Sequence, residues 1–242
     1  MLELRNISKA FEQVNFLSSK RRKKIEVIKN ISLIANNKDT VGVVGRNGSG
    51  KTTLMKILFG ALKPDKGEIY FNGREDEYQK NRKNFSLFNN NERSFFWRLT
   101  VRENLEYFST LSNHNQELDF TEIIQSISLE KLMDKPFYAL SSGEKKRAAL
   151  LRGLLKDPQL LIFDEFTQSL DMNSKKIIQE LIKKISGKSE CLVFWITHDL
   201  EELCKMCNRV IYIDDGEISY MNNDFSGKSD DLEQLKRMLL NE

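Results

Sequence analysis

Residues 45–54 read GRNGSGKTTL, with three glycines, a lysine and two threonines in ten positions. The pattern of glycine, four residues, glycine, lysine, threonine suits a ligand rich in anionic oxygens. Glycine permits positive φ and lets backbone N–H groups come close to a ligand. Such N–H groups, with the positive end of a following helix aimed at the same point, wrap a phosphate. In this reading Gly45, Arg46, Asn47, Gly48, Ser49 and Gly50 form the cradle. Lys51 reaches the β- and γ-phosphates of a nucleoside triphosphate, and Thr52, beside Thr53, places a hydroxyl on Mg2+.

Holding a triphosphate is not hydrolysing it. Hydrolysis needs a carboxylate for the metal and a group that positions water. The segment LLIFDE offers both: Leu160 to Phe163 form a buried strand and Asp164 emerges at its end, where ligands gather in open α/β sheets. Asp164 is expected to bind Mg2+ through water, and Glu165 to polarise the attacking water.

These residues need elements to position them. Val41, Val43 and Val44 make a β-branched run that stops at Gly45, and Leu54, Ile57, Leu58 and Ala61 follow at helical spacing. The cradle is therefore expected between a strand and a helix, the helical region ending by Pro64 and Gly67. EIYFNG reads as a strand closing on an Asn72-Gly73 turn. Residues 101–155 are mostly helical by pattern. Strands return at LLIFDE, CLVFWIT and VIYIDDGEI, with helical NSKKIIQELIKKI and LEELCKMC between them. Leu232, Leu235, Met238 and Leu239 share a helical face in the tail. The expectation is one α/β domain: a core at about 1–90 and 156–222, a helical insertion at about 91–155 and a C-terminal helix at about 229–241.

Composition narrows the function. A net charge of +3 with 30% charged residues is too weak a bias to argue for nucleic acid, and none is expected as a partner. Three cysteines make no disulfide framework, which suggests a reducing compartment. The start, MLELRNISKAFE, lacks the apolar stretch of a signal peptide, and no apolar run is long enough to cross a bilayer. Membrane work would need spans from another chain. Cys204 and Cys207 have C-x-x-C spacing without further ligands, and read as small residues on a helix. His114 stands in a polar stretch and reads as exposed. The run KRRKK, residues 20–24, lies in a segment from Glu12 to Glu26 that reads as a solvated loop, or else as a contact for anionic headgroups.

Several segments together resemble the ATP-binding cassette (ABC) ATPases. LSSGE at 140–144 matches the family signature LSGGQ, SLD at 169–171 matches its D-loop, and THD places His198 as its switch histidine, which contacts the γ-phosphate. Phe11 sits where the family stacks an aromatic ring on adenine, with Phe16 as a rival. The resemblance covers nearly the whole chain. It implies a P-loop NTPase core with a mixed sheet, an N-terminal antiparallel β region and a helical signature subdomain. It also implies ATP and Mg2+ as cofactors, and catalysis by Glu165 and His198. Ser141 and Gly143, with hydroxyl and amide donors at a helix start, would close over ATP held by a second cassette, a copy or a paralogue, with Asp171 nearby. The remaining partner implied is a separate transmembrane permease, which places the chain at the cytoplasmic face of the cell membrane.

The sequence departs from the family pattern in places. Counting back from LTVREN puts Asn91 where the family has its Q-loop glutamine on the metal side of the site. FTQSLD lacks the usual proline and glycine, and NNKDT lacks the usual Gly-Glu before the cradle strand. The stretch ERSFFWRLTVREN is similar to exporters of drugs, lipids or polysaccharides, so export is the expected direction. Phe95, Phe96 and Trp97, read as helical, cannot all face one core, and at least one is expected outward to meet the permease. An ABC ATPase of metallocluster assembly has similar length and is the alternative.

Overall fold

In the computed structural model, residues 1–14, 22–89, 95–111, 120–168, 170–188 and 191–240 are described. Strand β1 (Leu2–Val14) pairs antiparallel with β2 (Arg22–Ala35). Then come β3 (Thr40–Gly45), α1 (Lys51–Phe59), β4 (Lys66–Phe71), α2 (Glu75–Asn81) and β5 (Phe85–Phe88). The middle holds α3 (Val101–Leu111), α4 (Thr121–Ser126) and α5 (Ser142–Leu154). The last third runs β6 (Leu160–Asp164), α6 (Met172–Lys188), β7 (Leu192–Ile196), α7 (Leu200–Met206), β8 (Arg209–Asp214), β9 (Glu217–Asn222) and α8 (Ser229–Leu240).

Two sheets result. One is antiparallel, in the order β2-β1-β4. The other has six strands in the order β5-β6-β7-β3-β8-β9, parallel except for β9. Strands β3, β6 and β7 are near-continuous apolar runs because both faces of the parallel sheet are covered, one by helices and the other by α1 with the antiparallel sheet. One apolar cluster, with Leu2, Ile28, Met55 and Phe194, fills the space between the two sheets and α1. The other, with Phe88, Phe163, Trp195 and Leu235, lies on the opposite side and runs into the helical middle.

The register of the parallel sheet fixes the site. Val43 of β3 stands between Ile196 of β7 and Ile211 of β8, and Ile196 also faces Asp164 of β6. The loops after β3, β6 and β7 therefore leave one sheet edge at the same level.

Some sequence expectations change. The Glu12–Glu26 segment is not a loop throughout: Glu12 pairs with Lys24 and Val14 with Arg22, so the β1–β2 hairpin extends into it. Lys20, Arg21 and Phe16 lie outside the described residues, as do Asn91, His114 and Ser169. Phe95 to Trp97 are not helical. Phe95 turns inward and stacks on Phe137 at 4.2 Å, while Phe96 and Trp97 are each 47% exposed. Helix α1 stops at Gly60, φ 79°, so Ala61 lies beyond it. The Asn72-Gly73 turn forms, with φ 51° and 79°, and leads into α2, whose one buried residue, Tyr78, gave too weak a period to read.

Candidate functional site

Strand β3 delivers Gly45 to the sheet edge, and residues 46–50 turn back into α1. Helix α1 begins at Gly50, φ 105°, with no side-chain cap and no acid in its first turn. Its first N–H groups and the positive end of its dipole are thus left for a ligand. Gly50 is obligatory on two counts: its φ, and a Cβ there would lie 2.7 Å from the Val27 carbonyl oxygen. Gly48, φ 84°, faces open space instead, with nothing within 4 Å of where a Cβ would stand.

Lys51 is buried, and its Nζ donates to the carbonyls of Gly45 at 2.6 Å and Arg46 at 2.7 Å. Burial lowers its pKa, and the charges of Glu165 and Asp164 oppose that shift. Asp164 lies across from it. Burial raises the Asp164 pKa above the usual carboxylate range, against the pull of a hydrogen bond from Thr52. Two acids and one cation thus meet at the end of the parallel sheet, around one shared space.

That space is a cavity of about 510 Å³ lined by Val27, Asn47, Gly48, Gly50, Lys51, Thr52, Thr53, Asn89, Asp164 and Glu165. Two observations fit it to a nucleoside triphosphate with Mg2+: the uncapped helix start and the Thr52–Asp164 pair of hard oxygen donors.

Glu165 adopts φ 52°, a left-handed conformation uncommon for glutamate. Its N–H donates to the Ile196 carbonyl at 3.1 Å, which ties it to the end of β7. Beyond β7, His198 Nε2 lies 2.9 Å from Glu165 Oε1.

The structure does not bring all the proposed site residues together. Ser141, Gly143, Asp171 and Phe11 do not line this cavity. Phe11 is exposed on β1 with the Lys9 ammonium 5.8 Å from its ring centroid. Ser141 caps α5: its Oγ accepts from the Glu144 N–H at 3.3 Å, and the Glu144 carboxylate accepts from the Ser141 N–H at 2.8 Å. The Ser141 amide expected as an anion donor is thus already engaged. Gly143 lies against the start of α6, where a Cβ would stand 2.6 Å from Ser174 Oγ and 3.5 Å from an Asp171 oxygen. Asp171 accepts from the Ser174 N–H at 2.9 Å, and that bond holds its carboxyl below the usual range.

Asn89 is a lining residue that the sequence reading did not single out. It follows FSLF, a short apolar run whose Phe88 pairs with Phe163 one residue before Asp164. The run is only four residues long, too short to identify as a strand from its pattern.

Comparison with known proteins agrees with this geometry. Residues 28–168 match the ABC transporter family. The chain is 27% identical over 225 residues to the ABC transporter ATP-binding protein NatA of Bacillus subtilis, covering 91% of this chain and 88% of that one. It is 32% identical over 221 residues to the energy-coupling factor transporter ATP-binding protein EcfA1 of Ureaplasma parvum, covering 87% and 72%. Among solved structures, the dimeric bacterial ABC transporter cassette MJ0796 superimposes with a TM-score of 0.75 at 25% identity, covering 92% of this chain and 98% of that one. The cbiO1 protein from Clostridium perfringens also gives 0.75, at 24% identity over 97% and 92%, a likeness of fold alone. Taken with the phosphate cradle and its facing acids, these matches establish that the chain belongs to the ABC transporter family as an ATP-binding subunit that hydrolyses ATP with Mg2+.

Proposed function

We propose that this chain powers transport through a separate membrane-spanning partner, working as a head-to-tail pair of cassettes. The carrying observation is that the Ser141–Gly143 loop does not line the cavity of its own chain. Its place at the start of α5 suits it to the ATP of a facing cassette. No helix among the described residues is long and apolar enough to cross a membrane, so the spans belong to the partner. The chain then sits peripherally, on the cytoplasmic face where ATP is available.

Within each site the residues divide the work. Lys51 exchanges its two carbonyl partners for phosphate oxygens, gaining charge-assisted bonds. Thr52 and Asp164 would hold the metal, and Asn91 is assigned to it from its place in the sequence motif alone. Bound Mg2+ neutralises charge on the terminal phosphates. Glu165 accepts a proton from the attacking water, and His198 fixes the carboxylate that does so and reaches the γ-phosphate. Phe11 supports the adenine ring, and Asp171 orders the start of α6 beneath the signature loop.

The direction we propose is export, and ERSFFWRLTVREN alone supports it. Similar proteins include spermidine/putrescine and methionine import ATP-binding proteins, so direction requires its own measurement in inverted vesicles. Pairing is tested by sedimentation. Glu165→Gln with ATP should shift from monomer to dimer, and adding Ser141→Arg should block the shift while the monomer still binds ATP. A shift undiminished by Ser141→Arg rejects the head-to-tail geometry.

A further inference from the structure

A carboxylate outside the nucleotide cavity ties together the two loops that carry Glu165 and His198. Glu202, on α7, is 2% exposed. Its Oε1 accepts from Thr167 Oγ1 at 2.6 Å and from Gln179 Nε2 at 2.9 Å, and its Oε2 accepts from Thr197 Oγ1 at 2.6 Å. Lys175 Nζ lies 3.7 Å away. Thr167 and Thr197 are themselves buried, at 4% and 6% exposure. Thr167 stands two residues after Glu165, and Thr197 immediately precedes His198.

The surrounding bonds extend the arrangement. Thr197 Oγ1 also accepts from the Asp199 N–H at 3.1 Å, and Asp199 Oδ1 accepts from the Glu202 N–H at 3.2 Å. Lys175 Nζ donates to Asp199 Oδ2 at 2.6 Å. The exit of β6, the exit of β7, the start of α7 and the body of α6 therefore meet on one buried carboxyl group. Burying a carboxylate is costly, and an apolar side chain in its place would often stabilise the fold as well or better. What a carboxylate adds is direction: its two oxygens each accept from one threonine hydroxyl and so set their spacing. Glu165 needs such restraint, because its φ of 52° is held against an intrinsic preference for other conformations.

We infer that Glu202 is a positioning residue for ATP hydrolysis, a clamp that sets the loops after β6 and β7 at the separation where Glu165 and His198 meet. The inference rests on the roles given above to Glu165 and His198. Glu202 does not line the nucleotide cavity and acts through those two side chains.

The test uses the full-length chain and MgATP. Glu202→Gln keeps the shape of the side chain but cannot accept from both threonine hydroxyls. It should bind one ATP per chain with KM within about twofold of wild type, while kcat falls about 10- to 100-fold, the usual range for a lost orienting partner. The chain has two histidines, so the imidazole 15N resonances of His198 are assigned by comparison with His198→Ala. In Glu202→Gln they should move toward their positions in Glu165→Ala, where the pair is broken. In single-turnover measurements Glu202→Gln should cost little further rate when His198→Ala is already present. Unchanged His198 resonances, or an equal loss of rate in both backgrounds, overturns the clamp. Should Glu202→Gln not fold, Thr167→Val should lower kcat and Thr167→Ser restore it, and equal rates for the two reject the inference. Failure of the underlying roles would look different: His198→Ala or Glu165→Gln would keep the wild-type rate.

Discussion

His198 Nε2 and Glu165 Oε1 stand 2.9 Å apart at the ends of neighbouring strands, although 33 positions separate them in sequence (198 − 165). Each restrains the other: the imidazole gives the carboxylate one fixed partner and leaves its second oxygen for water. Glu165→Gln should bind ATP normally and lose about 100-fold or more in turnover, the low end of what a positioned base contributes. Phosphate release from purified protein, with nucleotide affinity measured in parallel, checks this. Turnover at the wild-type rate would remove Glu165 from the role.

Gly143 predicts a structural cost that has nothing to do with nucleotide. A methyl group there meets the buried Ser174 at the first turn of α6. Gly143→Ala should destabilise the nucleotide-free monomer by about 1–3 kcal/mol, the range for overpacking. Urea unfolding at low protein concentration measures it. No loss of stability would mean that Ser174 and the α6 start yield freely.

Ser141 makes a separate contribution through the capping box of α5. Ser141→Ala should cost about 1 kcal/mol, and Ser141→Asp, which keeps an acceptor, should recover part of it. A negative charge at that position would still weaken ATP-driven pairing. The two readouts, monomer melting and dimer formation, should therefore separate in the aspartate variant.

Alkaline pH should reveal a buried thiol. Burial, with the charge of Asp157, pushes Cys191 from 9.0 up to about 12. Between those values the unfolded chain releases a proton that the folded chain keeps, so stability is full below pH 9 and falls as pH rises toward 12. The slope attributable to Cys191 is about 1.4 kcal/mol per pH unit. Wild type and Cys191→Ala, unfolded in denaturant at pH 9.5 to 11, should differ in slope by that amount. Parallel lines would show that the thiol titrates in the folded state.

Phe96 and Trp97 form an exposed aromatic surface. Phe96 meets Tyr107 edge-on at 4.9 Å, and Lys145 Nζ stands 4.7 Å from the Trp97 ring. Removing both rings, as Phe96→Ala with Trp97→Ala, should release the chain from membranes with little change in melting temperature, as expected for anchors at an interface. Retained membrane binding and transport would exclude this patch.

The cradle and the acids of β6 were legible because each combines residue type with a strand or helix whose period is visible nearby. Val41–Gly45 before the glycines and Leu160–Phe163 before Asp164 are examples. His198 was legible through its THD motif after the strand CLVFWIT, and its pairing with Glu165 was not. Its distance depends on strand register, and the order β6-β7-β3 is set by packing across the whole sheet. Helix α2 and strand β5 were missed because one buried tyrosine and four residues carry no period. The aromatics at 95–97 were misread as helical. Their backbone is instead organised by Asn104, whose side chain accepts from the Phe96 N–H at 2.8 Å and donates to its carbonyl at 3.0 Å. Glu202 carried no local signal, since one acid at the start of a short helix looks like an ordinary dipole partner.

The strand order has a consequence for biosynthesis. Strand β3 ends in the phosphate cradle, yet both its neighbours, β7 and β8, are encoded beyond residue 190. The β2-β1-β4 sheet can pair from residues 1–71 alone. At that stage β3 still has two bare edges and the cradle has no floor. The contacts that finish it are among the most distant in the sequence, which makes closure slow and leaves apolar strand exposed in the meantime. The cradle is therefore complete only once β7 and β8 have joined β3.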